Sequence, residues 1–307
     1  MIKYYFRTVK DTTIKELSEA RTGVWVHVVS PNNDEIQRLI KEFVLDEDII
    51  SDAEDFFEIP RMERSQGATY FFTRYPFNEK SEDSDTAPLL IIMGESFVLT
   101  LALREVPPLQ KLIENKEEVV TTQKAKLFIQ IMDAITYSYD AELMRLRKAV
   151  HKNRSSLRKI GTREIERLVQ YETKLNSMVD ALIPTNDWLQ HVPKGNYMQL
   201  YNDDVEMMTD LEIANSQLVN SARSVLKTIQ NIRSGVEAIM SSRLNNSLRV
   251  LTVLTILLMV PQVISSLYGM NVDLPLQNSP WAFFFIVGTN FFVLAVLVVI
   301  FHRKNWF

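Results

Sequence analysis

The chain has 307 residues and no cysteine, which excludes disulfide bonds, thiolate metal sites and cysteine nucleophiles. Its glycines are never closer than 19 positions apart, so it cannot form a phosphate-binding loop or a dinucleotide fingerprint. Residues 1–248 carry 31 basic and 37 acidic residues, whereas residues 249–307 carry only three basic residues and one acidic residue. This asymmetry predicts a large acidic part that carries a short membrane anchor.

Residues 1–120 alternate between apolar stretches typical of strands and amphipathic stretches typical of helices. The strand-like stretches are 2–9, 23–29, 68–75, 89–93 and 97–103, and the helix-like ones are 31–44 and 46–56. This order predicts an N-terminal mixed α/β domain with a mostly buried sheet.

Residues 121–195 are expected to form antiparallel helices, over 124–159 and 163–190, with Gly161 and the 184–193 stretch as punctuation. Basic residues cluster over 145–159. Because the chain is acidic overall, we expect this cluster to pair with acids of neighbouring helices and not to bind nucleic acid.

Residues 196–248 follow a heptad pattern and predict a long, coiled-coil-like stalk helix. One seam contains Leu211, Leu218, Val225, Ile232 and Ile239, and the second contains Asn215, Ala222, Ile229 and Val236. Such a stalk could carry a mechanical signal into the membrane, although the heptads by themselves favour a device for oligomerisation.

Residues 1–248, the acidic part of the chain, contain two clusters of acidic residues. One precedes a predicted strand and the other begins the stalk: Glu79, Glu82, Asp83 and Asp85, then Asp203, Asp204, Glu206 and Asp210. Solvated surface acids are the usual explanation for such clusters. Alternatively, the two clusters could hold a hard divalent cation through oxygen ligands.

Residues 249–268 and 281–301 are each uncharged beyond Arg249 and long enough to cross a bilayer as a helix. Residues 269–280 predict an external loop, and residues 302–307 a basic tail. Basic residues flank the outer ends of this pair of spans, so both termini are expected in the cytoplasm. No signal peptide is apparent, and the expected location is therefore the plasma (inner) membrane.

The first span carries a polar stripe, whereas the second is apolar nearly all round. The stripe contains Asn245, Thr252, Thr255, Met259, Gln262 and Ser266. Hydrogen bonds between helices are the alternative explanation for single Ser or Thr residues. The full stripe favours a water-filled path, which one helix cannot enclose, and it thus predicts a ring of several copies.

No catalytic constellation is present in the sequence. His27 lies in an apolar strand and is expected in the core, and the other histidines have no partner at ligand spacing. The chain is therefore predicted not to be an enzyme.

The first span ends in Tyr268-Gly269-Met270-Asn271, which resembles the YGMN signature of the CorA magnesium-transporter family. The preceding run from Ser242 to Thr252 is similar to the S-x-R/K-x-N-x-x-x-K/R-V-L-T stretch of that family. Pro60-Arg61-Met62-Glu63 and the run from Gly94 to Thr100 resemble two further elements. The resemblance covers essentially the whole chain.

The resemblance implies a funnel-shaped homopentamer that conducts divalent cations. Gly269, Met270 and Asn271 would form the external selectivity loop, and Asn245, Leu251, Met259 and Gln262 would line the pore. Asp210 would belong to a regulatory cation site between subunits, with its partner among residues 79–85.

The leading interpretation is a passive Mg²⁺ channel that cytoplasmic Mg²⁺ closes, with Mg²⁺ as substrate and regulatory ligand. A related transporter of Zn²⁺, Co²⁺ or Ni²⁺ is the second. The third is a non-conducting coiled-coil scaffold tethered to the membrane, which would need neither the polar stripe nor the loop motif. Expected partners are other copies of the chain and the lipid bilayer.

Overall fold

The computed structural model describes residues 1–77, 85–114, 118–154, 161–195, 197–273, 275, 279–304 and 306. These residues form two compact units, Met1–Ile232 and Arg233–Phe307, and the boundary falls inside one long helix. The seven segments predicted from the sequence divide the chain more finely, and their boundaries remain predictions.

The first unit is built on a mixed sheet, which has seven strands among the described residues. The strands are β1 (Ile2–Phe6), β2 (Lys15–Leu17), β3 (Val24–Val29), β4 (Met62–Ser65), β5 (Ala68–Pro76), β6 (Thr86–Met93) and β7 (Phe97–Ala102). Their order is β2-β1-β3-β7-β6-β5-β4. The central neighbours β3 and β7 run parallel and the other pairs are antiparallel, which confirms the predicted mixed α/β class.

The two edge strands, β2 and β4, have no counterpart among the predicted elements. β2 has three residues, two of them charged, and β4 reads Met62-Glu63-Arg64-Ser65. Short, charged edges protect a sheet from pairing with another chain. The same features remove the apolar alternation from which a strand is predicted.

The helices follow in chain order. They are α1 (Asn33–Phe43), α2 (Glu47–Asp52), α3 (Gln110–Ile113), α4 (Lys124–Arg154), α5 (Thr162–His191), α6 (Asn202–Tyr268) and α7 (Ala282–Arg303). α1 begins with a capping box, in which the Asn32 side chain accepts from the backbone N–H of Glu35 and the Glu35 carboxylate accepts from that of Asn32.

Each face of the sheet is covered by helices. On one face, Leu39 and Ile50 of α1 and α2 join a buried cluster with sheet residues such as Val26. On the other face, the Phe71 ring of β5 lies 4.6 Å from Phe128 of α4 and 5.2 Å from Trp188 of α5, measured between centroids. The sheet is therefore buried on both faces, as predicted.

The helices α4 and α5 form an antiparallel pair. Lys174 of α5 contacts Glu142 of α4 at 3.0 Å, and both side chains are largely buried. α5 continues through Pro184 to His191, as the helix predicted over 163–190 requires. Ala181, Leu182 and Thr185 around the proline are buried, so packing holds the helix together where its ladder loses one N–H donor.

The helix α6 packs against α5 in the same chain. The buried Asn215 side chain of α6 donates to the backbone oxygen of Leu182 at 3.0 Å and to Oδ1 of Asn186 at 3.3 Å. The short connection between His191 and Asn202 makes the two helices antiparallel neighbours.

The heptad residues of α6 that belong to the first unit are buried. Leu211, Asn215, Leu218, Ala222, Val225, Ile229 and Ile232 are each less than 9% exposed in the single chain. Of the remaining two, which belong to the second unit, Val236 is buried and Ile239 is partly exposed. The heptad pattern favours an oligomerisation device, but the seven residues of the first unit are covered by their own subunit. A charge at Ile232 would therefore disturb the subunit core, and these seven residues provide no argument for a partner chain.

The second unit contains the end of α6 and the helix α7, both long and apolar enough to cross a membrane. Trp281 caps the start of α7 and is 72% exposed, which suits an indole in the headgroup layer. The chain thus carries two apolar C-terminal helices, as the spans at 249–268 and 281–301 predict.

His27 is buried in the sheet beneath two aromatic rings. Its Nδ1 lies 2.9 Å from Oγ1 of Thr100, which also accepts a hydrogen bond from Nε1 of Trp25 at 3.0 Å. The Tyr5 and Trp25 rings flank the imidazole. Burial lowers the pKa of His27 to about 4, so the imidazole is neutral at physiological pH.

We predict that the free energy of unfolding falls by up to about 3 kcal/mol as the pH is lowered from 6.5 to 4. An unfolded histidine takes up its proton near pH 6.5, whereas folded His27 resists protonation until about pH 4. Acid therefore favours the unfolded state across this window. Chemical unfolding followed by tryptophan fluorescence at several pH values measures the effect.

The contribution of His27 is the difference between the wild type and His27→Gln. The variant should lose this part of the pH dependence, whereas His151→Gln, at an exposed position of α4, should retain it. Equal pH dependence in the wild type and His27→Gln would contradict the assignment.

Candidate functional site

The predicted pore residues share one face of α6. They are Asn245, Leu251, Thr252, Thr255, Met259, Gln262 and Ser266, and all seven are exposed in the single chain. At 100° per residue they fall within an arc of about 120°. The helix therefore presents one continuous polar and Met/Leu face that its own chain does not cover.

The polar members of this face differ in how their hydrogen bonds are satisfied. Thr252 and Thr255 each donate to the backbone oxygen four residues earlier, at 2.8 Å, so their hydroxyls need no other partner. The side chains of Asn245, Gln262 and Ser266 make no hydrogen bond within the part of the chain that the structure describes. Gln262 and Ser266 lie within the first span, so their side chains require water or another chain in a membrane.

Gly269 ends the pore-face helix. Its backbone N–H donates to the oxygens of Ser265 and Ser266 at 3.1 Å, and the N–H of Met270 donates to Leu267 at 3.3 Å. Its φ is not positive, and an added Cβ would make only ordinary contacts. Within one chain, Gly269 thus forms an ordinary helix end, and backbone strain does not explain why a glycine occupies this position.

The signature residues Met270 and Asn271 lie beyond the helix, and both are exposed. The hydroxyl of Tyr268 donates to the backbone oxygen of Pro275 at 3.5 Å, which ties the helix end to the loop. The helix end thus presents the Asn271 amide to solvent.

The predicted regulatory acids are separated by their local roles. Asp204 is buried, and its carboxylate accepts a 3.0 Å hydrogen bond from the N–H of Tyr201, which caps the start of α6. Asp203 and Asp210 are exposed. Asp85 lies 3.6 Å from the ammonium of Lys174. Glu79, Glu82 and Asp83 lie outside the described residues.

No group of three or more His, Cys, Asp or Glu side chains that could hold a metal occurs among the described residues. Asp203 and Asp204 instead line a half-open cavity of about 720 Å³ together with Glu95, Lys124 and Lys126. The Lys124 ammonium donates to the backbone oxygens of residues 94 and 95, and burial lowers its pKa. Two lysines of the protein therefore line the same cavity as these carboxylates.

The polar centre of α7 was not predicted from the sequence, because the second span is apolar nearly all round. Thr289 and Asn290 each bond back to the oxygen four residues earlier, at 2.9 and 3.2 Å. The Oδ1 atom of Asn290 is shielded from solvent and has no partner among the described residues. The interruption Gly288-Thr289-Asn290 in an otherwise apolar run was the available signal.

Comparison with known proteins adds independent findings. Residues 21–303 match the family described as CorA-like Mg²⁺ transporter protein. The cobalt/magnesium transport protein CorA of Methanocaldococcus jannaschii is 26% identical over 293 residues, which cover 92% of this chain and 91% of the relative. The protein of the same name from Thermotoga maritima is 16% identical and covers 98% of this chain and 88% of the relative.

The fold is also similar to a solved structure. The complete CorA magnesium transporter of Methanocaldococcus jannaschii aligns over 100% of this chain and 99% of its own, with a TM-score of 0.88 and 22% identity. At that identity the likeness concerns the fold. The family match spans more than nine-tenths of the sequence and includes the signature loop and both apolar C-terminal helices. The chain therefore belongs to the CorA-like Mg²⁺ transporter family.

Proposed function

We propose that this protein is a passive Mg²⁺ channel that forms a homopentamer around the pore face of α6. The observation that carries the proposal is the match to the CorA-like family over residues 21–303, which includes the polar face and Asn271. The names of the relatives in two organisms describe cobalt and magnesium transport. The chemistry of the exposed face is consistent with that substrate class.

A ring of copies follows from the exposed polar face. The side chains of Gln262 and Ser266 in the first span lack partners within the described part of one chain, and hydrocarbon cannot satisfy them. A cyclic arrangement turns each of these side chains toward a shared axis, where water can reach it. The resemblance to the CorA family supports a number of five copies.

The residue types along the face suit a hydrated ion. Mg²⁺ gives up its water reluctantly and is usually bound with several waters attached. A ring of Asn271 amide oxygens could accept hydrogen bonds from these waters without the deep trap of a carboxylate ring. Rings of Met259 and Leu251 would form apolar constrictions that close by dewetting, and Asn245 would form the cytoplasmic mouth.

The first unit is assigned to the cytoplasm. Arg243 and Arg249 precede the first span, Arg303 and Lys304 follow the second, and residues 269–280 contain no basic residue. This distribution supports a cytoplasmic position for both termini under the positive-inside rule. The membrane potential would then drive cations inward.

Two alternative functions can be distinguished by experiment from the proposed Mg²⁺ channel. The relatives' names favour Co²⁺ as an additional substrate, and a hydrated-ion path requires no soft ligand for Co²⁺, Ni²⁺ or Zn²⁺. A non-conducting scaffold would leave the polar face without a purpose. Uptake of Mg²⁺, Co²⁺ and Zn²⁺ into proteoliposomes separates these functions.

Asn271→Ala is expected to reduce Mg²⁺ flux into proteoliposomes at least tenfold while leaving the oligomer intact. The substitution removes the amide ring that receives the hydrated ion, whereas the fold of each chain does not depend on this exposed side chain. Asn278→Ala, which removes another amide of the same loop, serves as the matched control and should transport normally. Near-normal flux through Asn271→Ala would overturn the assignment.

The detergent-solubilised protein is expected to contain five copies. Native mass spectrometry measures this number directly. A spectrum that contains nothing but the monomer or an antiparallel dimer would be incompatible with a shared axial pore. Since the heptad seams are buried within each chain, Ile232→Lys should unfold the subunit and not merely separate the ring.

Gating is proposed to depend on interfacial carboxylates. Asp210 is exposed and has no ion pair among the described residues, so acids of a neighbouring copy would repel it unless a cation lies between them. Mg²⁺ bound at several such sites would favour the closed ring, and about 5.5 kcal/mol in total suffices to shift the population from 1:99 to 99:1.

Limited proteolysis with and without millimolar Mg²⁺ tests this mechanism. The wild type should be protected only with Mg²⁺, whereas Asp210→Lys should be protected without it, because the ammonium replaces the bound cation. Asp180→Lys, an exposed charge reversal on α5, should behave as the wild type. If protection of the wild type does not depend on Mg²⁺, these acids are ordinary solvated surface residues and the gating mechanism is wrong.

A further inference from the structure

One segment of the first unit has a charge opposite to that of its surroundings. Residues 143–167 contain nine basic and two acidic residues, although residues 1–248 as a whole carry more acids than bases. The segment covers the end of α4 and the start of α5. It is therefore a local concentration of positive charge on an acidic protein.

The antiparallel packing of α4 and α5 brings together the basic residues of this segment that the structure describes; residues 155–160 lie outside the described residues. The Glu142–Lys174 contact at 3.0 Å sets the register of the pair. Moving an equal number of residues from this contact along each helix places Lys148 level with Leu168 and its neighbour Arg167. We call Arg147, Lys148, Lys152, Arg163 and Arg167 the basic end of the hairpin, and all five are exposed.

The carboxylates nearby leave most of this charge unneutralised. Arg145 contacts Glu142 at 3.3 Å, and the Glu164 carboxylate accepts a 3.0 Å hydrogen bond from the N–H of Gly161. Four members of the basic end, Arg147, Lys148, Arg163 and Arg167, have no ion pair or hydrogen bond within the described ranges. The pairing predicted for this segment is thus not found for these four side chains.

The topology of the first unit determines which end carries this charge. Asn215 of α6 bonds to Leu182 of α5, and the two helices are antiparallel. Advancing along α6 from Asn215 to Ile232 corresponds to moving back along α5 from Leu182 to Ile165. The basic end therefore lies at the end of the first unit from which the chain continues toward its membrane segments.

We propose that the basic end of the hairpin binds anionic phospholipid headgroups of the cytoplasmic leaflet. That leaflet carries negative surface charge, and clusters of Lys and Arg on the same side of the membrane are attracted to it. The exposed members are charged and not apolar, so the contact is electrostatic and acts without insertion into hydrocarbon. The proposal goes beyond ion transport and rests only on the proposed cytoplasmic side of the first unit.

The test uses the full chain in lipid nanodiscs. Because the chain has no cysteine, Val169→Cys provides a single dye site on α5, beside the basic end. Energy transfer to a headgroup-labelled lipid is compared between discs of phosphatidylcholine and discs in which one third of the lipid is phosphatidylglycerol. We expect at least twofold more transfer in the anionic discs, and loss of the difference at about 1 M salt, where the Debye length is about 3 Å.

Charge reversal identifies the residues responsible. Arg147→Glu with Lys148→Glu should abolish the difference between the two lipids. Lys10→Glu with Lys41→Glu makes the same change in net charge at exposed positions elsewhere in the first unit, and should preserve it.

Equal transfer in both lipids would overturn the proposal, as would equal loss in both double variants. Transfer that depends on the number of copies in a disc and not on lipid charge would assign the basic end to an acidic surface of another copy, which also overturns it. The readout needs no ion flux, so its failure leaves the proposed channel function untouched, and failure of transport leaves this proposal untouched.

Discussion

The cost of placing an amide in hydrocarbon is the constraint on which the membrane part of this protein depends. The Gln262 side chain lies in the apolar first span and has no hydrogen-bond partner in the described part of its own chain. Thr252 and Thr255 avoid this cost by bonding to their own helix. The threonines could therefore face lipid, whereas the Gln262 amide could not. The ring of copies and the water-filled axis that we propose would satisfy such groups.

The elements of the fold that bury apolar residues were largely predictable. Long apolar runs predicted β5, β6 and β7, and the amphipathic period predicted α1 and α4. The edge strands were not predictable, because Lys15-Glu16-Leu17 and Met62-Glu63-Arg64-Ser65 lack the alternation that burial imposes. The predicted helix over 163–190 includes Pro184, and α5 does run through this residue because surrounding packing outweighs the lost backbone hydrogen bond.

The part of the candidate site that lies on a single helix was predictable, and the part that depends on contacts between segments was not. Spacing along one helix placed Thr255, Met259 and Gln262 on a common face, because a regular helix converts sequence separation into angle. The acidic residues lacked such a rule. Asp204 caps its own helix and Asp85 faces Lys174, and both contacts depend on chain segments that spacing does not bring together. Local charge density therefore indicated where acids accumulate without indicating what each one contacts.

The buried heptad residues of α6 have a consequence for the proposed assembly. Since Leu218, Val225 and Ile232 are covered by their own subunit, the ring that we propose cannot be held together by these aliphatic residues. Its copies would meet through other surfaces, so that loosening the proposed ring would not expose this part of the subunit core. A change in the area between copies would then have a free-energy cost set by surface chemistry and not by the hydrophobic core.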